Sequence, residues 1–127
     1  MTRNRVLVVD DNDDICANVK DILNDLGYDV DTAQNGFAAI ELATVNTYDV
    51  IVLDYKMTGM DGATLHQHII RIRPGITAIM VTAYADGDGR RRAAESGIQH
   101  VLRKPVDLFQ LLPLIEASPV FDTKTCN

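Results

Sequence analysis

The sequence predicts a doubly wound α/β domain, in which a five-stranded parallel sheet is covered by helices on both faces. Short apolar segments alternate with helical patterns five times along the 127 residues. Some of these segments, such as residues 50–53, are uninterrupted apolar runs. Such runs indicate strands that are buried on both faces, as a parallel sheet between two helical layers requires. A chain of this length can bury one such core without disulfide bonds or a structural metal.

The first strand–helix unit has the clearest pattern. Residues 5–9 form an apolar, β-branched run, which is typical of a strand. Apolar residues then recur at helical spacing over 15–26. Asp13 or Asp14 can cap this helix, and Gly27 ends it.

The second and third units follow the same order. Apolar and polar residues alternate over 28–32, which predicts a strand, and an Asn-Gly pair then opens a helix over 36–43. Residues 49–53, of which the last four are apolar, predict the third strand, and helical spacing returns over 63–72. Together these segments predict two more strands and two more helices.

The last two units include a helix with an internal proline. Strands are predicted at 76–81 and 99–102, with a helix at 86–96 between them. The fifth helix starts at Asp107, and we expect Pro113 to kink it or end it early, because proline lacks the N–H of the helical hydrogen bond. Beyond Ser118-Pro119 the apolar periodicity is lost. The pattern predicts one domain over 4–116 and a flexible tail over 117–127.

Composition excludes several classes of function. Lys and Arg number 12 and Asp and Glu 18, a net charge of −6, which disfavours direct binding to nucleic acid or to an anionic membrane. No apolar run approaches the roughly 20 residues of a membrane span. Cys16 and Cys126 are too isolated to form a disulfide or metal framework, and Cys16 is expected to be a small buried hydrophobe. We therefore expect a cytoplasmic protein.

Polar residues follow four of the five predicted strands. They are Asp10 and Asp11 after the first, Asp54 after the third, Thr82 at the end of the fourth, and Lys104 after the fifth. Singly, each has an ordinary explanation as a turn, cap or strand residue. However, the carboxyl ends of parallel strands meet at one edge of the sheet, which is where ligands bind in this type of fold. The sequence thus predicts one polar site.

The charges of this site indicate its chemistry. Two carboxylates about 4 Å apart repel by about 4 kcal/mol at an effective dielectric constant near 20, so three acids need a cation. Lys104 supplies one positive charge, and Mg²⁺, which prefers oxygen ligands, would supply the rest. A carboxylate nucleophile, a metal held by acids, and a lysine with a hydroxyl are the parts of a phosphoryl-transfer site.

In this ordered set of residues the chain resembles the receiver domain of two-component response regulators, over about residues 4 to 116. The matching positions are Val6-Leu7-Val8-Val9 before Asp10-Asp11, Leu53-Asp54-Tyr55-Lys56-Met57 with Gly59-Met60-Asp61-Gly62 behind it, Thr82-Ala83, and Lys104-Pro105. The resemblance implies a fold like that of the chemotaxis regulators, with the flavodoxin-like strand order 2-1-3-4-5.

The resemblance also implies a function for Asp54. This residue would accept a phosphoryl group from a phosphohistidine on a histidine kinase or a histidine phosphotransfer protein. Thr82 and Lys104 would bind the phosphoryl oxygens, and the Lys104–Pro105 peptide bond would be cis. A downstream protein would bind the face formed by the fourth helix, the fifth strand and the fifth helix.

A metal site is implied in the same way. Asp11, Asp54 and the backbone carbonyl of Lys56 would ligate Mg²⁺, and Asp10 would assist through water. Mn²⁺ is expected to substitute for Mg²⁺. The side chain of Lys56 stands at a position that influences hydrolysis of the acyl phosphate in the family.

The chain departs from the family pattern in its switch residues. Thr58 stands where the family often has proline, and Val101 stands where it has an aromatic residue that turns inward on activation. Valine has one stiff torsion and cannot make that rotation. Output is therefore expected to run through Thr82 and the following loop, with Tyr84 as a replacement aromatic, or to be weakly coupled.

Three other functions share parts of this pattern. A pseudo-receiver would keep the fold and signal without phosphate, which Val101 leaves open. An Mg²⁺-dependent phosphatase with an aspartate nucleophile would use Asp11-Asn12-Asp13 as its Asp-x-Asp motif. A flavin-binding domain is disfavoured, because the acids at 10–14 would repel its phosphate. The favoured function is a signalling switch that catalyses only its own phosphorylation and dephosphorylation and is not otherwise an enzyme.

Overall fold

A computed structural model describes residues 4–118, which contain five strands and five helices in alternation. The strands are β1 (Arg5–Val9), β2 (Asp29–Ala33), β3 (Val50–Leu53), β4 (Thr77–Thr82) and β5 (His100–Arg103). The helices are α1 (Asp13–Asp25), α2 (Gly36–Val45), α3 (Gly62–Ile72), α4 (Asp88–Ser96) and α5 (Leu108–Glu116). Residues 119–127 lie outside the described part, and with them most of the predicted tail and Cys126.

The strands form one sheet in the order β2-β1-β3-β4-β5, with every neighbouring pair parallel. This confirms the predicted fold class and strand order. The register sets Val9 beside Leu53 and Leu53 beside Met80. At the far edge, Thr82 pairs with Arg103. Because the ends of neighbouring strands are in register, the residues that follow β1, β3 and β5 lie together at the carboxyl end of the sheet.

Side chains of the central strands alternate between two apolar layers. In β3, Ile51 and Leu53 face the layer built with α2, α3 and α4, whereas Val50 and Val52 face the layer built with α1 and α5. All four residues of β3 are buried. Burial on both faces explains why the third strand is an uninterrupted apolar run.

The cap of α1 is Asn12, so the predicted cap at Asp13 or Asp14 is wrong. Asn12 has an extended backbone, and its side-chain oxygen accepts hydrogen bonds from the backbone N–H groups of Asp14 and Ile15. The two aspartates instead occupy the first turn of the helix. Negative charge is favourable there because the N–H groups of the first turn make that end of the helix positive.

Helix α4 begins at Asp88, two residues later than predicted. Gly87 precedes it with φ +63°, a conformation that side chains with a Cβ rarely adopt. A Cβ on Gly89 would lie 1.8 Å from the carbonyl oxygen of Tyr84. Two glycines therefore allow the β4–α4 loop, residues 83–87, to lie against the first turn of α4.

Helix α5 continues through Pro113 to Glu116, so the predicted early ending is wrong. Leu111 and Ile115, on either side of the proline, are fully buried against the sheet. Burial of two large aliphatic side chains, each worth about 1.5–3 kcal/mol, offsets the missing hydrogen bond. After α5, Ser118 is buried and its carbonyl accepts a hydrogen bond from Asn4. Within residues 4–118, none of the helices combines the length and hydropathy of a membrane span.

A buried histidine joins α3 to α4. His66 is 4% exposed, and its Nδ1 lies 2.7 Å from Oγ of Ser96. The Ser96 hydroxyl donates its hydrogen to the carbonyl of Ala63, which makes Nδ1 of His66 the donor in the first contact. Burial lowers the pKa of His66 below its ordinary value, although the hydrogen bond with Ser96 opposes this. The neutral imidazole is the form that the fold favours.

We predict that His66 makes the protein less stable at mildly acidic pH. Its pKa is lower in the folded than in the unfolded chain, so only the unfolded chain takes up the proton as pH falls below about 6.5. The free energy of unfolding should then fall by up to about 1.4 kcal/mol per pH unit. Urea unfolding near pH 7.5 and pH 5.5 measures this.

The matched control is His68, an exposed histidine on the same helix. The pH-dependent loss of stability should shrink in His66→Gln and stay at the wild-type value in His68→Gln. Equal losses in the wild type and both variants would contradict the prediction.

Candidate functional site

Three aspartates meet at the carboxyl edge of the sheet, as the sequence predicts. Asp10 and Asp11 follow β1, and Asp54 follows β3. Asp10 and Asp54 are 4% and 7% exposed, whereas Asp11 is exposed. The N–H of Asp54 donates to the carbonyl of Val9, and that of Asp10 to the carbonyl of Ala33. These bonds continue the sheet beyond its strands and fix the positions of both buried acids.

Lys104 bridges the two buried acids. Its Nζ lies 2.7 Å from Oδ2 of Asp10 and 2.8 Å from Oδ2 of Asp54. Burial alone would lower the pKa of Lys104, but the hydrogen bonds with Asp10 and Asp54 outweigh burial and raise it. The lysine is therefore a fixed positive charge. The peptide bond from Lys104 to Pro105 is cis, as the resemblance implies.

The acid cluster fits a divalent cation. One carboxylate oxygen each from Asp10, Asp11 and Asp54 lie within 4.8 Å of one another. The cluster contains three carboxylates and one bridging ammonium, so an excess of negative charge remains. Mg²⁺ binds to protein carboxylates and completes its shell with water. The donor atoms and the charge of this cluster both suit that ion.

The other oxygens of the buried acids are held by backbone groups. Asp10 Oδ1 accepts the N–H of Asn12 at 3.0 Å, and Asp54 Oδ1 accepts the N–H of Tyr55 at 2.7 Å. Below Asp54, a Cβ on Gly62 would lie 2.0 Å from the Asp54 carbonyl oxygen. The start of α3 is therefore packed directly against the backbone of Asp54.

Thr82 ends β4 and is fully buried. Its Oγ1 accepts the backbone N–H of Tyr84 at 3.1 Å, a bond that does not use the hydroxyl hydrogen. The backbone N–H of Lys104 donates to the carbonyl of Thr82. Hydrogen bonds from Tyr84 and Lys104 thus fix the position of Thr82.

Tyr84 contacts Lys56, which lies two residues after Asp54. The Lys56 ammonium lies 4.8 Å from the centre of the Tyr84 ring, within the range of a cation–π interaction. The two residues follow different strands, and nothing in the sequence predicts their pairing. This contact joins the loop after Asp54 to the loop after Thr82.

Two further contacts were not predicted. Arg103, at the end of β5, forms an ion pair with Asp86 in the β4–α4 loop at 2.5 Å. Cys16 is buried, as predicted, and its thiol also donates to the carbonyl of Asp10 at 3.3 Å.

Val101 is half-buried and packs against the layer of α2, α3 and α4.

The structure does not favour the alternative of a phosphatase, because Asp13, the second acid of its Asp-x-Asp motif, lies outside the acid cluster. Asp13 is exposed in the first turn of α1 and is not among the three clustered aspartates of the described chain. The clustered acids are Asp10, Asp11 and Asp54 instead.

Comparison with known proteins identifies the family. The family model for the response regulator receiver domain matches residues 6–116. A response regulator receiver protein of Anaeromyxobacter sp. (strain Fw109-5) is 39% identical over 87% of this chain, which spans 46% of that protein. Sporulation initiation phosphotransferase F of Bacillus subtilis (strain 168) is 31% identical over 87% of this chain and 90% of its own length. Other relatives are named transcriptional regulatory protein and sensor histidine kinase.

A solved structure agrees with this result. The receiver domain protein (CheY-like) from Methanospirillum hungatei JF-1 superposes with a TM-score of 0.84 at 30% identity, over 90% of this chain and 91% of that one. The residues matched by the family model, 6–116, include all five helices and Asp10, Asp11 and Asp54. The chain belongs to the response regulator receiver domain family, the phosphorylatable domains of two-component systems.

Proposed function

We propose that this domain is a phosphoacceptor switch in which Asp54 takes a phosphoryl group from a phosphohistidine. The donor would be a histidine kinase or a histidine phosphotransfer protein, and the reaction would take place in the cytoplasm. The observation that carries the proposal is the buried Asp54 carboxylate, which Lys104 links to Asp10 beside Asp11. A relative named as a phosphotransferase, covered over 90% of its length, supports it.

The residues of the site have distinct roles in the transfer. An oxygen of Asp54 attacks phosphorus, the phosphorus–nitrogen bond of the phosphohistidine breaks, and the histidine leaves as a neutral imidazole after taking up a proton. The Lys104 ammonium and the Thr82 hydroxyl bind the phosphoryl oxygens. Lys104 must exchange part of its contact with Asp54 for the phosphoryl group, while its bond to Asp10 keeps it in place.

Mg²⁺ would be held by Asp11, Asp54 and the backbone carbonyl of Lys56, with Asp10 assisting through water. When bound, the ion offsets the negative charge of the carboxylates and of the incoming phosphoryl group. Mn²⁺ would substitute, because it also prefers oxygen ligands. Hydrolysis of the acyl phosphate returns Asp54 to its carboxylate form, so the domain catalyses only its own phosphorylation and dephosphorylation.

Output would begin at Thr82. When its hydroxyl turns toward the phosphoryl group, the hydrogen bond that Oγ1 accepts from Tyr84 is strained or lost. Tyr84 is half-exposed and lies in the β4–α4 loop, which ends at Gly87, a glycine with φ +63°. A downstream protein would read this change on the face of α4, β5 and α5, where Phe109 is 92% exposed.

We predict that Asp54 is the one side chain that acyl phosphates modify. Incubation with acetyl phosphate and Mg²⁺ should add one phosphoryl group to the intact mass, and hydroxylamine should remove it, because an acyl phosphate is labile. Asp54→Asn should take up none, whereas the exposed Asp25→Asn should react like the wild type. Uptake by Asp54→Asn at the wild-type rate would disprove the assignment.

We predict that Asp11 contributes to metal binding and lowers stability without metal. Asp11→Ala should weaken Mg²⁺ binding, measured by calorimetry, on the order of tenfold or more. In metal-free buffer the same variant should have a higher free energy of unfolding, because one of three close negative charges is removed. Asp21→Ala removes an exposed acid from α1 and should change neither quantity in this way. Unchanged Mg²⁺ affinity in Asp11→Ala would refute the role.

We predict that phosphorylation changes the β4–α4 loop more than β5. Valine at 101 has too few rotamers and too little volume to act as a gate, whereas Tyr84 is bonded through its backbone to Thr82. With beryllofluoride and Mg²⁺, changes in amide chemical shift should be largest between Thr82 and Arg92 and small over 100–102. Equal changes at Val101 would contradict this, as would loss of partner binding in Val101→Ala with Tyr84→Ala unaffected.

A further inference from the structure

An apolar cavity of about 490 Å³ opens beside the acid cluster. It lies between the sheet, α1 and the turn that leads from β5 to α5. Its apolar wall includes Val8, Val52, Val81, Ile15, Val19 and Val106. A cavity of this volume is within the range that small ligands occupy in proteins.

The cavity exists because its wall is built from small side chains. Val52 and Val81 remain 5% and 7% exposed, although Val50 and Ile79, on the same face of the same strands, are fully buried. The exposed pair lies at the end of the strands nearest the acid cluster. Valines at 19 and 106 are too short to fill the space between α1 and the turn after β5.

The polar groups of the cavity are gathered at one end. Asp10, Asp54 and Lys104 line it there, and Asp11 adds its carboxylate to the cluster. The cluster thus holds three carboxylates and one ammonium, which is bonded to Asp10 and Asp54. An apolar body with a positively charged head would complement both parts of this cavity, whereas an anionic head would meet the excess of carboxylates.

We propose that this cavity binds primary amines with a short apolar chain. The ammonium head lies at the Asp10 and Asp54 carboxylates, and the chain lies against the valines of the wall. Such an amine and a divalent cation would compete for the same carboxylates, so each would weaken the binding of the other by the same factor. Binding of the amine needs no phosphoryl transfer, so it can hold or fail independently of the proposed function.

A series of alkylamines tests the role of the apolar wall. Affinities of ethylamine, butylamine and hexylamine, measured by calorimetry without metal, should rise by about fourfold for each methylene that the cavity buries. The methyl NMR signals of Val8, Val52 and Val81 should shift during the titration. Affinity that does not depend on chain length, as simple pairing with exposed acids would give, overturns the proposal.

Variants that fill the cavity provide the second test. Val19→Leu adds volume from α1, and Val106→Leu adds it from the turn after β5. In each variant the affinity for alkylamines should rise less with each added methylene, and Mg²⁺ affinity should stay within about twofold of the wild type. The control is Val45→Leu on α2, where the valine is 78% exposed. It should bind hexylamine like the wild type. Unchanged chain-length dependence in both filled variants, or its loss in the control, would overturn the proposal.

The charge of the head is tested separately. Hexanoate has the same chain with an anionic head, and it should bind at least tenfold more weakly than hexylamine. Mg²⁺ should weaken hexylamine binding in proportion to its own occupancy of the carboxylates. Tighter binding of hexanoate, or hexylamine binding that Mg²⁺ does not alter, would show that the head is not at the acid cluster and would overturn the proposal.

Discussion

The bridge from Lys104 to Asp10 and Asp54 is the interaction on which the rest of the site depends. The register of a parallel sheet forces the ends of β1 and β3 together, and both ends carry buried carboxylates. Close carboxylates repel, and burial strengthens the repulsion because little water screens it. The ammonium that follows β5 contacts both carboxylates, offsets part of their charge and ties three strands together. The domain can therefore keep two acids buried and close together at one end of the sheet.

The surroundings of this bridge differ in rigidity. Asp54 is held from below, where Gly62 packs on its carbonyl and Tyr55 donates to its side chain. Two exposed contacts link the β4–α4 loop to its neighbours, Lys56 with Tyr84 and Arg103 with Asp86. Exposed ion pairs contribute about 0–1 kcal/mol each, so they yield more readily than buried packing. A fixed acid beside an adjustable loop is the arrangement that a switch needs.

The two apolar layers also differ. The layer of α2, α3 and α4 covers Ile51 and Leu53, which are at most 1% exposed. On the side of α1 and α5, short valines leave a cavity that reaches the carboxylates. The acid cluster is therefore open to solvent at Asp11 and open to the valine-lined cavity at Asp10 and Asp54. A metal ion and an amphipathic amine could reach the same carboxylate oxygens from these two sides.

The sequence by itself determined the fold class, the order of strands and helices, and the residues of the polar edge. These features depend on local periodicity and on which residue follows each strand, and both are visible along the chain. The cap at Asn12 rather than Asp13, and the passage of α5 through Pro113, depend on backbone geometry and burial that periodicity does not encode. The pairs His66–Ser96 and Lys56–Tyr84 were decided only by the tertiary structure. Their members lie on different elements, and only packing brings them together.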